Sequence, residues 1–208
     1  MAIQIGDTML EGVDHGQPFV MTGSGKSKIE LRPNLNHSAI SGQSNVPTPV
    51  QRGAVPGFSL PIWNSDNEQI FFDMCVPNRW DEASNIDIHI HGYLAAIQPT
   101  TARAFRLQVS WEHYGSAVVV PDTVNTIEVE TELDADTAAF TAYHVDFTTT
   151  NAIDYDVDGG GHEIAADSNL GLRLRRIAKT GGNNEIDGEF VVTHFGLIFT
   201  RNKLRENV

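Results

Sequence analysis

The sequence predicts an all-β protein: an antiparallel β-sandwich of the jelly-roll type, with about eight strands and an extended N-terminal arm. Apolar and polar residues alternate after residue 56, as in 86–91 (IDIHIH) and 106–111 (RLQVSW), which is the period of a half-buried strand. Turn sequences rich in Gly, Pro, Asn and Asp separate these runs, and segments with helical period are almost absent. Many short strands without intervening helices pack as two facing sheets.

Eight runs carry this strand signal. They are rich in Thr, Val, Ile and aromatic residues, which suit a pleated, half-buried surface, and lie at 58–63, 69–76, 86–97, 103–114, 124–131, 139–149, 170–178 and 188–201. The last run differs because 190–199 (FVVTHFGLIF) is apolar on both faces. That pattern predicts a central strand, or one that another subunit covers.

The chain is predicted to have two parts, an extended N-terminal arm at 1–55 and the sandwich at 56–208. The arm contains the breakers Gly23-Ser24-Gly25 and Pro47-Thr48-Pro49, which interrupt regular strands and helices. Its short apolar stretches and low charge favour an arm that becomes ordered by contact with neighbouring subunits. The alternative is a disordered tail.

The charge is concentrated in the sandwich. Residues 1–55 contain four acids and four bases, so the net charge of −13 belongs to residues 56–208. Because such a surface repels phosphate, we expect no nucleic acid binding through this part of the chain.

No apolar run approaches the roughly 20 residues that cross a bilayer, so no membrane partner is expected. The first residues (MAIQIGDTMLEG) lack the basic and apolar regions of a secretory signal. The single cysteine excludes an internal disulfide framework.

A calcium site is one candidate for chemistry. Asp154, Asp156 and Asp158 precede Gly159 in a D-x-D-x-D-G run that resembles the front of a calcium-binding loop. The twelfth position, where a bidentate acid is needed, is Ala165. The competing interpretation is a strand end whose carboxylates are solvated.

A second candidate is the His89-Ile90-His91 run, which places two imidazoles on one face of a strand. This H-x-H spacing is that of cupin metal sites, but no carboxylate follows in 92–96. The competing interpretation is a polar sheet face. Arg173, Arg175 and Arg176 predict ion pairs across strands, and the sequence contains no catalytic or nucleotide-binding motif. We therefore predict a protein without catalytic residues or a required cofactor.

Four segments resemble uncharacterised virion proteins of environmental, phage-type viruses: 56–94 (PGFSLPIWNSDNEQIFFDMCVPNRWDEASNIDIHIHGYL), 105–114 (FRLQVSWEHY), 170–178 (LGLRLRRIA) and 188–204 (GEFVVTHFGLIFTRNKL). The layout is also similar to jelly-roll decoration and minor capsid proteins. The resemblance implies a non-enzymatic virion component on the outer capsid surface, made in the host cytoplasm. Its implied partners are other capsid proteins and further copies of itself, with a trimer favoured.

Three alternatives remain open. A main single-jelly-roll capsid protein would share the fold and the arm. A carbohydrate-binding β-sandwich would need exposed aromatic residues, for which Trp63, Trp80 and Tyr114 are the candidates. A cupin-like metal enzyme would need His89 and His91 as ligands.

Overall fold

A computed structural model describes residues 2–5, 8–11, 20–22, 27–32, 34–36, 47–62, 69–78, 80–81, 84–115, 124–156 and 164–201. Its strands are β1 (Ala2–Ile5), β2 (Thr8–Glu11), β3 (Val20–Thr22), β4 (Ser27–Leu31), β5 (Asn34–Asn36), β6 (Thr48–Arg52), β7 (Val55–Leu60), β8 (Ile70–Cys75), β9 (Asp87–Leu94), β10 (Arg103–Tyr114), β11 (Asn125–Leu133), β12 (Ala142–Phe147), β13 (Asn169–Ile177), β14 (Asn184–Glu185) and β15 (Phe190–Arg201). In this part of the chain the helical content is one 3-10 turn, Thr149–Asn151, and no helix is long and apolar enough to span a membrane.

The eight predicted strands are all present, as β7 to β13 and β15. They form two sheets, which we name by their central strands: the β15 sheet has the order β12-β9-β15-β7, and the β10 sheet has the order β11-β10-β13-β8. Every neighbouring pair within these eight strands is antiparallel. This order is that of a jelly roll, so the predicted fold class is confirmed.

The core lies between the two sheets. Phe72 of β8 stacks on Phe195 of β15 with ring centroids 4.2 Å apart, and Phe105 of β10 stacks on Phe190 at 4.5 Å. Offset-stacked aromatic pairs at this distance contribute favourable packing beyond their buried area. The sheets are thus joined by aromatic contacts at two points along β15.

The apolar run 190–199 is a central strand, as its two-sided pattern predicts. β15 pairs with β9 along one edge and with β7 and β4 along the other. Val191 and Leu197 are both buried. The run is therefore flanked by strands of its own chain on both edges.

Strand pairing crosses the boundary predicted at residue 55. β4 pairs with the last residues of β15, and Ile29 and Leu31 of β4 pack against the core. β5 pairs with β8, and β6 forms a hairpin with β7. Gly53 in that two-residue turn has φ +59°, a conformation that glycine adopts without strain. Residues 27–32 and 47–52 therefore belong to the sandwich of their own chain, while the predicted contact of the arm with neighbouring subunits stays a prediction.

The first three strands form a separate sheet. β1 pairs with β2 and β2 pairs with β3, both antiparallel. This small sheet is distinct from the two sheets of the sandwich.

Candidate functional site

The outer face of the β15 sheet carries a cluster of histidines. In β9, Ile88 and Ile90 are fully buried between the sheets. Because side chains alternate along a strand, His89 and His91 lie on the opposite, outer face. In β12, Val145 is buried in the same way, which places His144 outside with them.

Strand register brings three of these side chains into one row. His91 pairs with His144 of β12 on one side and with His194 of β15 on the other. The pairing of β15 with β9 shifts by one residue between Val192 and His194. This β-bulge puts a histidine, rather than Thr193, beside His91.

The imidazole rings of the cluster are close together. Ring centroids are 3.7 Å apart for His89 and His144, 4.6 Å for His91 and His144, and 4.8 Å for His89 and His91. The ring of His194 lies 5.2 Å from that of His91. One ring nitrogen from each of His89, His91 and His144 lies within 4.8 Å of the other two, so these three could share one metal ion.

Two carboxylates flank the cluster. Asp146 Oδ1 lies 3.1 Å from His144 Nε2 and 3.4 Å from His89 Nε2. On the other side, Glu30 Oε1 lies 2.5 Å from His194 Nε2. Glu30 reaches this position over Gly196, where an added Cβ would collide with its carboxylate. The absence of a side chain at Gly196 therefore makes room for the Glu30–His194 pair.

Two groups of the cluster, His91 and Glu30, have pKa values below their ordinary values. Burial and the neighbouring His144, His89 and His194 lower the pKa of His91. The hydrogen bond with His194 lowers the pKa of Glu30. His89 is unusual because both its ring nitrogens are shielded from solvent and neither has a hydrogen-bond partner among the described residues. The distance to Asp146 is short enough for an ion pair, but its geometry does not satisfy a hydrogen bond.

The sequence identified part of this cluster. The H-x-H run gave His89 and His91 on one strand face, and the strand predicted at 139–149 contains His144 and Asp146. His194 and Glu30 were not found, because the bulge in β15 and the pairing of β4 are not readable from local patterns. The structure places His89 and His91 on the outer face of the β15 sheet. Their location on the outer surface, instead of inside the sandwich, differs from what an enclosed cupin-like site requires.

The structure covers two of the three predicted calcium ligands. Asp154 is exposed and Asp156 is half-buried, and the Asp156 backbone N–H donates to Asp154 Oδ1 at 3.2 Å. Asp158 lies outside the described residues. The calcium site at Asp154, Asp156 and Asp158 therefore stays a prediction.

Among the aromatic candidates for carbohydrate binding, Trp80 was expected to be exposed, and this expectation is wrong. Trp80 is fully buried, and its ring meets the ring of Phe199 edge to face. Tyr114 is half-buried, and Trp63 lies outside the described residues. Of the two described candidates, Tyr114 alone is accessible to a ligand.

The arginines of β13 divide between the two faces of the strand. Arg173 donates to Ser110 Oγ at 2.9 Å and Arg175 to Gln108 Oε1 at 2.6 Å, both on the outer face. Arg176 is buried on the core side and pairs with Glu185 at 2.9 Å. The predicted ion pairing is therefore found at Arg176, within the fold's interior.

No family model matches the chain, and no curated protein matches it. Among solved structures, it is similar to a family 11 carbohydrate-binding module from Clostridium thermocellum in complex with a β-1,3-1,4-mixed-linked tetrasaccharide. That likeness has 11% identity, covers 87% of this chain and 92% of the module, and has a TM-score of 0.30.

The chain is also similar to VP1 of Trichodysplasia spinulosa-associated polyomavirus in complex with GM1 oligosaccharide. Identity is 10%, coverage is 88% of this chain and 97% of VP1, and the TM-score is 0.26. Likenesses at this level carry no argument about function. The function has to be argued from the residues of this chain.

Proposed function

We propose that this chain is a non-enzymatic virion structural protein, a capsid decoration or minor capsid subunit that binds neighbouring subunits through its N-terminal arm. In this proposal the chain is made in the host cytoplasm and ends on the outer capsid surface. Its partners are other capsid proteins and further copies of itself, in a trimer.

The observation that carries the proposal is the separate sheet of β1, β2 and β3. Its strands have four, four and three residues, and among the described strands they pair with one another and with no strand of the sandwich. A sheet this small needs an apolar surface to cover it, because strands alone do not offset the entropy of ordering them. Its sequence supplies apolar residues for such a contact, among them Ile3, Leu10 and Met21. We infer that a neighbouring subunit provides the cover.

The distribution of charge supports an outer position. The N-terminal 55 residues are neutral, and the remaining 153 residues carry the net charge of −13. A strongly acidic surface is repelled by packaged nucleic acid and helps solubility when it faces outward. Because the N-terminal 55 residues carry no net charge, they are repelled less than the rest of the chain when they approach another copy.

Closed cyclic assemblies are the usual outcome for subunits of one kind. We favour a trimer because trimers fit the local three-fold positions of an icosahedral shell. The nearest rival is a main capsid protein of the single jelly-roll type, which would share the fold and the N-terminal segment.

Cryo-electron microscopy of the native particle tests the proposal. Density for this chain on top of a separate shell supports a decoration or minor capsid role. Density for it as the continuous shell supports the main-capsid rival. If purified particles lack the chain and the protein turns over a small molecule, the structural role is wrong.

A test with glycans addresses the alternative of another class. Because Trp80 is buried, a Trp80→Ala variant would report on folding, so Tyr114→Ala is the appropriate variant. Saturable glycan binding that Tyr114→Ala abolishes would favour a carbohydrate-binding module over a structural subunit.

A further inference from the structure

We propose that His89, His91 and His144 bind one divalent transition-metal ion, with Zn²⁺ as the expected ion, on the outer face of the β15 sheet. This site is independent of the assembly role proposed above. It also differs from the acidic calcium run at 154–158 in position and in ligand chemistry.

The first argument is geometric. Zn²⁺ binds imidazole nitrogen at about 2.0–2.1 Å, so the nitrogens of one tetrahedral site lie about 3.4 Å apart. The three histidines already place a nitrogen each within 4.8 Å of the others. Because β9 and β12 are already paired, we expect rotation of the rings about their side-chain torsions to close the remaining distance.

The second argument is the chemistry of the ligands. Imidazole nitrogen favours zinc, copper, nickel and iron, whereas calcium and magnesium favour oxygen. His89, His91 and His144 each supply one imidazole nitrogen, so the cluster matches the first group of metals.

The third argument is that hydrogen bonding leaves His89 unexplained. Buried polar atoms nearly always have a partner, yet both ring nitrogens of His89 lack one among the described residues. Its side chain is 18% exposed, so solvent reaches the ring only at its margin. A metal ion between His89, His91 and His144 would use one of these nitrogens directly.

The fourth argument is the surrounding carboxylate. Metal-binding histidines usually donate their second ring N–H to a carboxylate or carbonyl, which fixes the tautomer. Asp146 lies 3.1 Å from His144 Nε2 and 3.4 Å from His89 Nε2. We therefore assign Asp146 as a positioning residue for His144, whose Nε2 is the nearer of the two.

The fourth coordination position is open. His144 is 46% exposed, and His91 is also exposed, so the cluster faces solvent. His194 is occupied by Glu30 on the far side of His91. In the isolated chain a water molecule would complete a tetrahedral set.

The experiment uses the full chain without a polyhistidine tag, stripped of metal with a chelator. Isothermal titration with ZnCl₂ should show saturable binding of one ion per chain. Titration with CoCl₂ should give visible absorption bands from a nitrogen-ligated ion. Thermal unfolding should shift to higher temperature with Zn²⁺, because an ion that binds the folded chain stabilises it.

Variants separate these ligands from nonspecific surface binding. His89→Gln, His91→Gln and His144→Gln should each weaken Zn²⁺ binding by more than tenfold, and Asp146→Asn should weaken it by about tenfold. His113→Gln is the matched control, because His113 lies on β10 in the other sheet, and it should bind like the wild type. Unfolding temperatures without metal establish that each variant is folded.

The proposal is overturned if the wild-type chain shows no saturation below about 0.1 mM Zn²⁺. It is also overturned if folded His91→Gln and His144→Gln variants bind as tightly as the wild type. Should one variant not fold, the remaining two and the Co²⁺ spectrum decide the matter. None of these results depends on oligomeric state, so failure here leaves the proposed assembly role to be judged separately.

Discussion

At the residue scale, Arg176 places a charged side chain in the buried interior. Its side chain is 1% exposed, and it donates to Glu185 Oε2 at 2.9 Å and to the Gly188 carbonyl at 2.8 Å. Burial lowers its pKa, and the Glu185 carboxylate opposes that shift. The Arg176–Glu185 ion pair therefore connects the segment that contains β14 to the end of β13.

Replacing Arg176 by Met should lower the free energy of unfolding by about 3 kcal/mol, because Glu185 then loses its charged partner in a largely buried setting. Arg175→Met is the matched control, since Arg175 lies on the outer face and donates to Gln108. We expect that variant to lose less than about 1 kcal/mol. Chemical denaturation measures both, and equal losses would contradict the role assigned to Arg176.

Glu130 gives a pH-dependent prediction. Its carboxylate accepts the backbone N–H groups of Thr180 and Gly181, at 2.7 Å and 3.0 Å. The backbone hydrogen bond from Thr180 is the main cause that lowers the pKa of Glu130 below 4.5. A lowered folded-state pKa contributes stability above the unfolded-state pKa and loses it as pH falls through the folded value.

Glu130→Gln should therefore unfold more readily than the wild type at pH 7, and the difference should shrink below about pH 4.5. Urea unfolding of the two proteins across pH measures this. A difference that grows on acidification would show that the interaction has the opposite sign.

Residue positions were predictable where alternation applies. The period of 2 correctly placed His89 and His91 together on one face of a strand. It did not reveal their partners, because Glu30 and His194 are distant in sequence from β9 and β12. Pairing across 50 or more residues depends on sheet topology, which no local pattern encodes.

At the element scale, all eight predicted strands are found. Each has an alternating run long enough to be recognised between the turn sequences that bound it. The strands that the sequence did not predict are short. β5 has three residues and β14 has two. β4 and β6 have five residues each and lie among Gly and Pro breakers, so their alternation is too short to stand out in the sequence.

The contribution of β4 can be tested by truncation. Removing residues 1–46 eliminates β4 and β5, exposes the β4-facing edge at the end of β15 and takes Ile29 and Leu31 from the core. We expect a loss of about 2–3 kcal/mol and a melting temperature about 5–10 °C lower. The exposed edge should also promote aggregation.

Removing residues 1–26 is the matched control, because it keeps β4 and β5. That variant should melt within a few degrees of the full chain. If the two truncated proteins are equally stable, β4 adds nothing to the sandwich.

At the scale of the whole molecule, the class of fold was predictable and the order of strands was not. Strand count and the absence of helices indicate a sandwich. In the jelly-roll order most successive strands change sheet, and this places β12, β9 and β15 side by side. The histidine cluster depends on that arrangement. From the sequence alone, His89 and His91 are recognisable as a pair, whereas His144 joins them only because β12 lies beside β9.

The central claim is that the N-terminal segment joins subunits. Light-scattering mass measurement of the full chain and of the variant lacking residues 1–26 tests it most directly. We predict that the full chain has three times its 22.8 kDa mass and that the truncated protein is a folded monomer. A monomeric full chain, or an oligomer that survives the truncation unchanged, would contradict the account.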